Sequence, residues 1–286
     1  MLSNNNFKLK IMKKLNRFLC LLFLLVLFSC QYQSKTKSDV KSTPENIQQD
    51  KFISFLKLNH EIYNGISNDI NKSEFVSKYE NDLANLSDSL GIFRNWKGQI
   101  DDISIFDWTT DNLKEITVRL DINVSEYYHL TLTCQKMYST KNIDSALVYR
   151  QLKKLVKGQD VYFDGILSRD KDNKIAYNSL FTSNTEPDNG KLTTPYMNFN
   201  IISISREKFT PTNLSNFDKT IETQLDIWKS MNDYTKGIIT RSSLQRKLKM
   251  TAIEIKPIVD SLSYDEKEYI KSLTNCMSDQ FQNSSN

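Results

Sequence analysis

The chain has 286 residues and a formal net charge of +4, but the positive charge is concentrated at one end. Residues 1–29 hold five of the 38 Lys and Arg side chains and no acidic one, which leaves 33 basic against 34 acidic side chains in the rest. A near-neutral chain lacks the basic surface of a nucleic-acid-binding protein, so nucleic acid is disfavoured as a partner.

The sequence contains no motif for catalysis or for binding a cofactor. Its seven glycines form no phosphate-binding cluster, and the G-x-S-x-G motif of hydrolases is absent. The four Cys and two His residues show no metal-ligand spacing. We therefore predict a protein that is not an enzyme and that uses neither a metal nor a cofactor.

Residues 1–29 have the pattern of a signal peptide for secretion. Basic residues precede the apolar run Phe18–Phe28, which is shorter than the ~20 residues that a membrane-spanning helix needs. The segment ends in Leu27-Phe28-Ser29-Cys30, which resembles the lipobox of bacterial lipoproteins. The resemblance implies cleavage before Cys30, a diacylglycerol on its thiol, and a fatty acid such as palmitate on the new amino terminus. An ordinary signal peptide and an uncleaved anchor are the alternatives, and Met12 is an alternative start to Met1.

A lipid anchor on Cys30 predicts a membrane as the first partner, because several acyl chains bind stably where one binds marginally. Gln31, rather than Asp, follows Cys30, and among lipoproteins this implies the outer membrane. We expect the protein to lie in the bacterial cell envelope and to face the periplasm. Residues 30–50 are polar, with few apolar positions, and predict a flexible tether. Pro44-Glu45 after Ser42-Thr43 is an alternative helix start within it.

Two amphipathic helices are predicted over residues 51–92. Apolar residues recur at helical spacing from Phe52 to Ile66 and again from Phe75 to Leu90, and Gly91 is a suitable end for the second helix. We expect an antiparallel helical pair beside the following domain, with His60 as a packed residue rather than a ligand.

Residues 95–205 contain nearly all the strand-like sequence. Apolar and polar residues alternate over Ile116–Val124 and Tyr127–Gln135, and only Ser125-Glu126 separates these two runs, so they predict a hairpin of half-buried strands. Further strands are predicted at Trp96–Ile100, Val161–Leu167 and Tyr196–Ser205, with a helix at Asn142–Val156. Lys174–Phe181 is an alternative further strand, as the returning arm of a hairpin. We predict that the acidic residues Asp101, Asp102 and Asp107 lie in a solvated loop.

Three strands, a helix and two strands is the order of the OB-fold, a five-stranded Greek-key barrel. We predict an α+β fold: a five-stranded OB-like β-barrel flanked by an N-terminal helix pair and C-terminal helices. Residues 96–205 also resemble the tRNA_anti-like OB family of bacterial envelope proteins. That resemblance rests on Trp96–Ile100, on Leu152–Gly158 leading into Val161–Gly165, and on Phe199–Ile204. The family name labels a fold and implies no binding of tRNA.

The remaining residues, 211–280, predict helices. Apolar residues step by three or four from Phe217 to Met231, short helices are expected around Thr240–Leu262, and Ser263 with Glu266 forms a capping box. Cys134 and Cys276 are the cysteines that remain once Cys20 is removed with the signal peptide and Cys30 carries the lipid. Cys134 falls at an apolar position of the alternating third strand, which favours a buried free thiol over a disulfide.

We predict a lipid-anchored envelope protein whose non-catalytic barrel binds a peptide, a glycan or a protein partner. OB-folds bind ligands with the face of strands two and three and the adjoining loops, here Arg169–Pro195. Arg119, Tyr127 and His129 are the candidate binding residues on that face, and each has an ordinary exposed strand residue as its alternative. Two other functions remain open: a structural subunit of an envelope assembly that docks through the helices, and single-stranded nucleic-acid binding, which the mild charge of the face disfavours.

Overall fold

The computed structural model describes residues 46–108, 112–126, 128–141, 143–178, 191–192 and 195–283. Two predicted functional residues, Cys30 and Tyr127, lie outside these ranges. The described chain divides into two compact units. One consists of Thr210–Ile270, and the other takes its residues from Ser42–Phe209 and Lys271–Asn286.

The larger unit contains the β-structure and the N-terminal helices. Its helices are α1 (Ile47–Asn64), α2 (Asp69–Leu90) and α3 (Leu147–Leu152), preceded by a 3-10 turn at Ile143–Ser145, and its strands are β1 (Phe93–Trp108), β2 (Leu113–Ser125), β3 (Tyr128–Ser139), β4 (Asp160–Leu167) and β5 (Tyr196–Ser205). The C-terminal helices are α4 (Leu214–Thr235), α5 (Arg241–Asp260) and α6 (Tyr264–Asn283).

The five strands form a closed barrel in the order β1-β2-β3-β5-β4, closed by antiparallel pairing of β4 with β1. The β3–β5 pair is parallel and the other pairs are antiparallel. Helix α3 lies between β3 and β4 in sequence, as an OB-like barrel requires. The predicted α+β fold class with its five-stranded OB-like barrel is therefore confirmed.

Aromatic side chains fill the part of the barrel nearest the N-terminal helices. Trp96 contacts Phe163 at 6.4 Å between ring centroids, and Phe163 meets Phe199 edge-on at 5.4 Å. Phe52 of α1 reaches the same group, 5.3 Å from Trp96, and is fully buried. Burial of large aromatic side chains contributes much of the hydrophobic stabilisation of a domain of this size.

Helices α1 and α2 run antiparallel, as predicted. Phe55 stacks on Tyr79 and Tyr63 contacts Phe75, so the contacts move forward along α1 as they move backward along α2. His60 stacks on Tyr128 at 4.4 Å and donates from Nδ1 to the Leu192 carbonyl at 2.9 Å, which agrees with its prediction as a packed residue.

Side-chain amides fasten the start of α1 to β1, where the sequence predicted the end of a flexible tether. The helix begins at Ile47, ahead of the predicted boundary at residue 51. The Asn46 amide donates to the Arg94 and Asn95 carbonyls at 2.9 Å. Gln49 donates to the Lys97 carbonyl at 2.7 Å and accepts from its N–H at 2.9 Å. The boundary was wrong because these bonds span almost fifty residues, and composition does not encode them.

We expect Gln49→Leu to destabilise the larger unit by about 2 kcal/mol, because it removes both hydrogen bonds between the buried Gln49 amide and the backbone N–H and C=O of Lys97. Gln49 itself is only 7% exposed, so water does not replace the amide easily. Urea unfolding measures the change, with Lys51→Leu on the exposed side of the same turn as the control. Equal unfolding of the two variants would contradict this account.

Several elements in the strand region differ from the prediction. Strand β1 continues to Trp108, so Asp101, Asp102 and Asp107 lie on a strand rather than in a loop. The predicted helix at Asn142–Val156 is reduced to the 3-10 turn and α3. The described part of the Lys174–Phe181 arm makes only single bridges, Arg169 to Ile175 and Tyr177 to Met197, and adds no strand to the barrel.

The smaller unit is helical, as predicted for residues 211–280. One continuous helix, α5, replaces the predicted short helices and contains Pro257 near its C-terminal end. The capping box is confirmed: Ser263 N–H donates to Glu266 Oε2 at 2.6 Å, and Glu266 N–H donates to Ser263 Oγ at 3.3 Å.

Both described cysteines are free and buried, as the sequence favoured. Cys276 Sγ donates to the Ile201 carbonyl at 3.4 Å, and Lys136 Nζ donates to Cys276 Sγ at 3.6 Å. Burial raises the pKa of Cys134 to about 11, so its thiol stays protonated and unreactive at neutral pH.

Candidate binding surface

Strands β1, β2 and β3 extend beyond the part of the barrel that β4 and β5 close. β1 pairs with β4 only through Phe93–Gln99, and β3 pairs with β5 through Thr131–Thr133. The three strands continue together to Trp108, Leu113 and Ser139, which are aligned across the sheet. We call this three-stranded extension the distal sheet (Asp102–Trp108, Leu113–Arg119 and Thr133–Ser139).

Exposed apolar side chains crowd one face of the distal sheet. Phe106 on β1 and Met137 on β3 lie opposite Glu115 of β2, one on each side of it. Trp108 lies two residues beyond Phe106 on the same face of the sheet. Their exposed fractions are 59% for Phe106, 42% for Trp108 and 47% for Met137. Phe106, Trp108 and Met137 form what we call the apolar patch. Exposed patches of this kind mark interaction sites more often than isolated exposed apolar residues do.

Hydrogen bonds to Glu115 orient the patch. Trp108 Nε1 donates to Glu115 Oε2 at 3.1 Å, and the Gln135 amide donates to Glu115 Oε1. The Phe106 and Trp108 rings meet edge-on at 4.9 Å between centroids. The indole is thus held by its polar edge, while the ring stays accessible to a partner.

Arg119 lies on the distal sheet, on the strand predicted for it, but carboxylates already occupy its guanidinium. Arg119 Nε is 2.8 Å from Asp101 Oδ2, and Nη2 is 3.5 Å from Asp102 Oδ2. Lys157 also approaches Asp101, at 3.8 Å. An irregularity in the register between Ile100 and Asp102 places both Asp side chains beside Arg119. A ligand carboxylate or phosphate would have to displace these partners.

The structure does not bring Arg119 and His129 together. His129 pairs with Asn123, four residues along the strand from the pair Arg119 and Thr133, which is a distance of about 13 Å. Between them Thr131 Oγ1 donates to Asp121 Oδ1 at 2.7 Å. His129 is exposed, and Tyr127 lies outside the described residues. The predicted residues therefore do not form one described cluster.

A polar cavity of about 460 Å³ lies on the barrel wall near His129's partner, Asn123. Helix α1 and strands β1, β2 and β4 supply its walls. Its charged and polar lining residues include Gln49, Lys97, Gln99, Asp121, Asn123, Asp160, Tyr162 and Arg206. The mixture of two cations and two carboxylates gives the cavity no strong preference for an anion or a cation.

Helix α2 holds the described base of the Arg169–Pro195 loop, which the sequence proposed as part of the site. Arg169 Nη2 donates to the Ala84 carbonyl at 2.9 Å and to Asp88 Oδ1 at 2.6 Å. Lys174 Nζ donates to Glu80 Oε2 at 2.8 Å, and Lys191 Nζ donates to Glu80 Oε1. These cations stabilise the loop against α2, so they contribute to the fold rather than to an open binding surface.

We expect the stability contribution of Glu80 to depend on pH. Burial by itself would raise the pKa of Glu80. The hydrogen bonds from Lys174 and Lys191 lower the pKa by more than burial raises it, so the pKa of Glu80 lies below its ordinary value of 4.5. A carboxyl group whose pKa is lower in the folded state stabilises the fold fully when the pH is above its pKa in the unfolded chain. This stabilisation is lost as the pH falls through its pKa in the folded chain. Glu80→Gln should therefore cost about 1 kcal/mol at pH 7, and this cost should shrink below pH 4.5.

Urea unfolding of the Glu80→Gln protein from pH 7 to pH 3 measures this effect. Glu74→Gln, at an exposed position of the same helix, is the matched control and should show no such trend. A cost for Glu80→Gln that stays constant over this pH range would contradict the assignment.

The sequence contained a signal for the apolar patch that the prediction did not use. Residues 103–108 read Ile-Ser-Ile-Phe-Asp-Trp, in which four of six residues are strong strand formers. The neighbouring acidic residues Asp101, Asp102 and Asp107 suggested a loop instead. Met137 falls beyond the predicted end of the third strand at Gln135, so it was missed as well.

The described residues hold no group of three or more His, Cys, Asp or Glu side chains that could share a metal ion. Among the same residues, none of the helices is both long enough and apolar enough to cross a membrane. Comparison with protein-family models, with curated proteins and with solved structures gives no match for this chain.

Proposed function

We propose that the protein is a lipid-anchored component of the bacterial cell envelope whose non-catalytic barrel binds a protein partner through the apolar patch. The observation that carries the proposal is the joint exposure of Phe106, Trp108 and Met137 on one face of the distal sheet. Aromatic residues and Met are enriched at protein interfaces, and the polar edge of Trp108 is already satisfied by Glu115. The resemblance to the tRNA_anti-like family stays a prediction.

The charges around the patch disfavour nucleic acid. Glu115 lies in the middle of the patch, Asp102 lies on the same face of β1, and Asp107 lies on the opposite face. Lys114 pairs with Asp107 at 3.2 Å, and Arg119 pairs with Asp101 and Asp102. A phosphate chain needs uncommitted cations along its path as well as aromatic rings for base stacking. The patch offers rings beside carboxylates, which suits a protein surface better.

A glycan in the polar cavity is the second candidate. The cavity of about 460 Å³ falls in the size range of small-molecule sites. Its amide, carboxylate and phenol groups, from Gln99, Asn123, Asp121, Asp160 and Tyr162, match the hydroxyl groups of a sugar. The cavity lies on the barrel wall rather than on the apolar patch, so separate variants test the two candidates.

The patch is tested by the double variant Phe106→Ser/Trp108→Ser, with crosslinking and purification from envelope membranes. We expect the double variant to lose the crosslinked partner, while Ile70→Ser retains it. Ile70 is a suitable control because it is an apolar residue, 70% exposed, in the first turn of α2. Retention of the same partner by the double variant would refute the proposal, and loss of a glycan by Asn123→Ala instead would support the cavity.

The lipid anchor needs its own test, because Cys30 lies outside the described residues. Metabolic labelling with a palmitate analogue should label the natural chain and the Cys20→Ala variant, but not Cys30→Ala. Cys20 is the matched control, since it lies in the segment that cleavage would remove. Persistent labelling of Cys30→Ala would refute the anchor.

A further inference from the structure

Among the described residues, one edge of the distal sheet is an open strand. β1 pairs with β4 through Gln99, and Ile100 then exchanges backbone hydrogen bonds with Gly158 and Gln159 at 2.7 and 2.9 Å. From Asp102 to Trp108 the described ladder joins β1 to β2 alone. Residues Ser104–Trp108 are all exposed. A strand edge of this kind is a template for pairing with another chain.

The register shows which backbone groups face the open edge. Thr131 N–H donates to the Pro195 carbonyl at 3.0 Å, so Thr131 faces away from β2. Directly opposite residues of an antiparallel pair either both face each other or both face away, so Asp121 faces β1. Alternation along β2 then directs Arg119, Thr117 and Glu115 toward β1. Their partners on β1 face β2, which leaves the N–H and C=O groups of Ile103, Ile105 and Asp107 on the open edge.

Apolar side chains are exposed on both faces of the same edge. Ile105 is 53% exposed and belongs to the face opposite the apolar patch, because its row contains Ile116 and Lys136. Phe106 and Trp108 expose their rings on the patch face. A globular surface resting on the patch face would leave Ile105 uncovered. A strand added at the edge would cover both, because its own side chains alternate between the faces.

We propose that the open edge of β1 binds an extended segment of a protein partner by β-strand addition. Resting on the function proposed above, this inference names the mode of binding and the chemistry of the partner. The segment carries apolar residues on both of its faces and a Lys or Arg at the position opposite Asp107, whose side chain is 56% exposed. Backbone hydrogen bonds to Ile103, Ile105 and Asp107 would supply affinity, and the flanking side chains would supply specificity.

Charge argues against a second copy of this chain as the occupant. Antiparallel pairing of two β1 edges centred on Ile105 would bring together two copies of a segment that contains Asp102 and Asp107 and no basic residue. In that register Asp107 would lie opposite Ile103 and Asp102 opposite Trp108, so neither carboxylate would gain a basic partner from the second copy. A partner with a basic residue opposite Asp107 would supply one.

The variant Ile105→Pro tests strand addition separately from the apolar patch. Proline removes the outward N–H and leaves the ladder to β2 intact, and edge strands tolerate proline in this orientation. Ile105→Thr is the control, since it keeps the N–H and the strand preference. Asp107→Pro is the second variant should Ile105→Pro fail to give the circular dichroism spectrum of the natural chain.

A library of eight-residue synthetic peptides, varied over Val, Ile, Thr, Phe, Tyr and Lys, is the probe for the full chain. The strongest peptide should bind Ile105→Thr within about threefold of the natural chain and Ile105→Pro at least about tenfold more weakly. It should also slow amide exchange at Ile103, Ile105 and Asp107. Equal binding to Ile105→Pro, protection elsewhere, no binding peptide, or dimerisation of the natural chain through this edge would each overturn the inference.

The envelope partner separates this inference from the function on which it rests. If Ile105→Pro keeps the crosslinked partner while Phe106→Ser/Trp108→Ser loses it, strand addition is refuted and the patch remains the interface. If Phe106→Ser/Trp108→Ser also keeps the partner, the proposed function fails with it.

Discussion

Replacing Gly165 with alanine should destabilise the barrel by at least about 3 kcal/mol, the largest effect that we expect from one added methyl group. Gly165 lies on β4 between Phe93 of β1 and Ile201 of β5. A Cβ atom there would overlap the Phe199 ring and the Asn200 carbonyl oxygen. The ring is 1% exposed and packs edge-on against Phe163, and the carbonyl belongs to the backbone of β5, so neither can move aside cheaply.

Gly98→Ala is the matched control for this prediction. Its added Cβ would lie 3.1 Å from the Phe163 ring and 3.2 Å from the Asp121 carbonyl oxygen, which small shifts can relieve. We expect a cost of about 1 kcal/mol at Gly98. Urea unfolding followed by circular dichroism measures both variants. A cost at Gly165 no larger than that at Gly98 would show that the barrel interior is less tightly packed than described.

Replacing Glu266 with alanine should destabilise the helical unit by about 3 kcal/mol. Its carboxylate is buried and accepts three backbone N–H groups: Thr212 at 2.7 Å, Asn213 at 3.2 Å and Ser263 at 2.6 Å. The first two donors precede α4, and the third precedes α6. One carboxylate therefore caps two helix N-termini, where negative charge is also favoured by the helix dipoles.

Asp265→Asn is the control for Glu266, because Asp265 occupies the same first turn of α6 but is exposed. It should cost less than about 0.5 kcal/mol. Glu266→Gln should restore little, since its amide nitrogen would face backbone donors. Thermal unfolding compares the three proteins. Equal stability of Glu266→Ala and Asp265→Asn would contradict the double cap.

Much of the barrel could be predicted because apolar and polar residues alternate along β2 and β3. Ile116, Val118, Leu120 and Ile122 are all buried, and polar residues alternate with them. The short Ser125-Glu126 connection then determined the antiparallel pairing. The capping box of Ser263 and Glu266 could also be predicted, because its two residues are only three positions apart in the sequence. By contrast, the two further bonds from Glu266 to Thr212 and Asn213 cross more than fifty residues and leave no local signal.

The distal part of β1 was missed for a physical reason. Ile105 and Phe106 are both exposed although they lie on opposite faces, so this end of β1 buries neither of its own faces and no period of two can appear. Arg119 was correctly placed on a strand, but its pairing with Asp101 and Asp102 depends on the irregular register at Ile100. The candidate site therefore moved from single polar residues on strands two and three to an apolar strand edge.

Residue-specific photocrosslinking in envelope membranes tests the central claim, that the distal sheet is the binding surface, most directly. A photoreactive phenylalanine replaces Phe106 or Trp108 in one pair of proteins, and the exposed Leu58 of α1 or Ile70 of α2 in the other. The account predicts one common crosslinked protein from positions 106 and 108 and none shared with positions 58 and 70. Crosslinks that are absent at 106 and 108, or that are identical at all four positions, would contradict it.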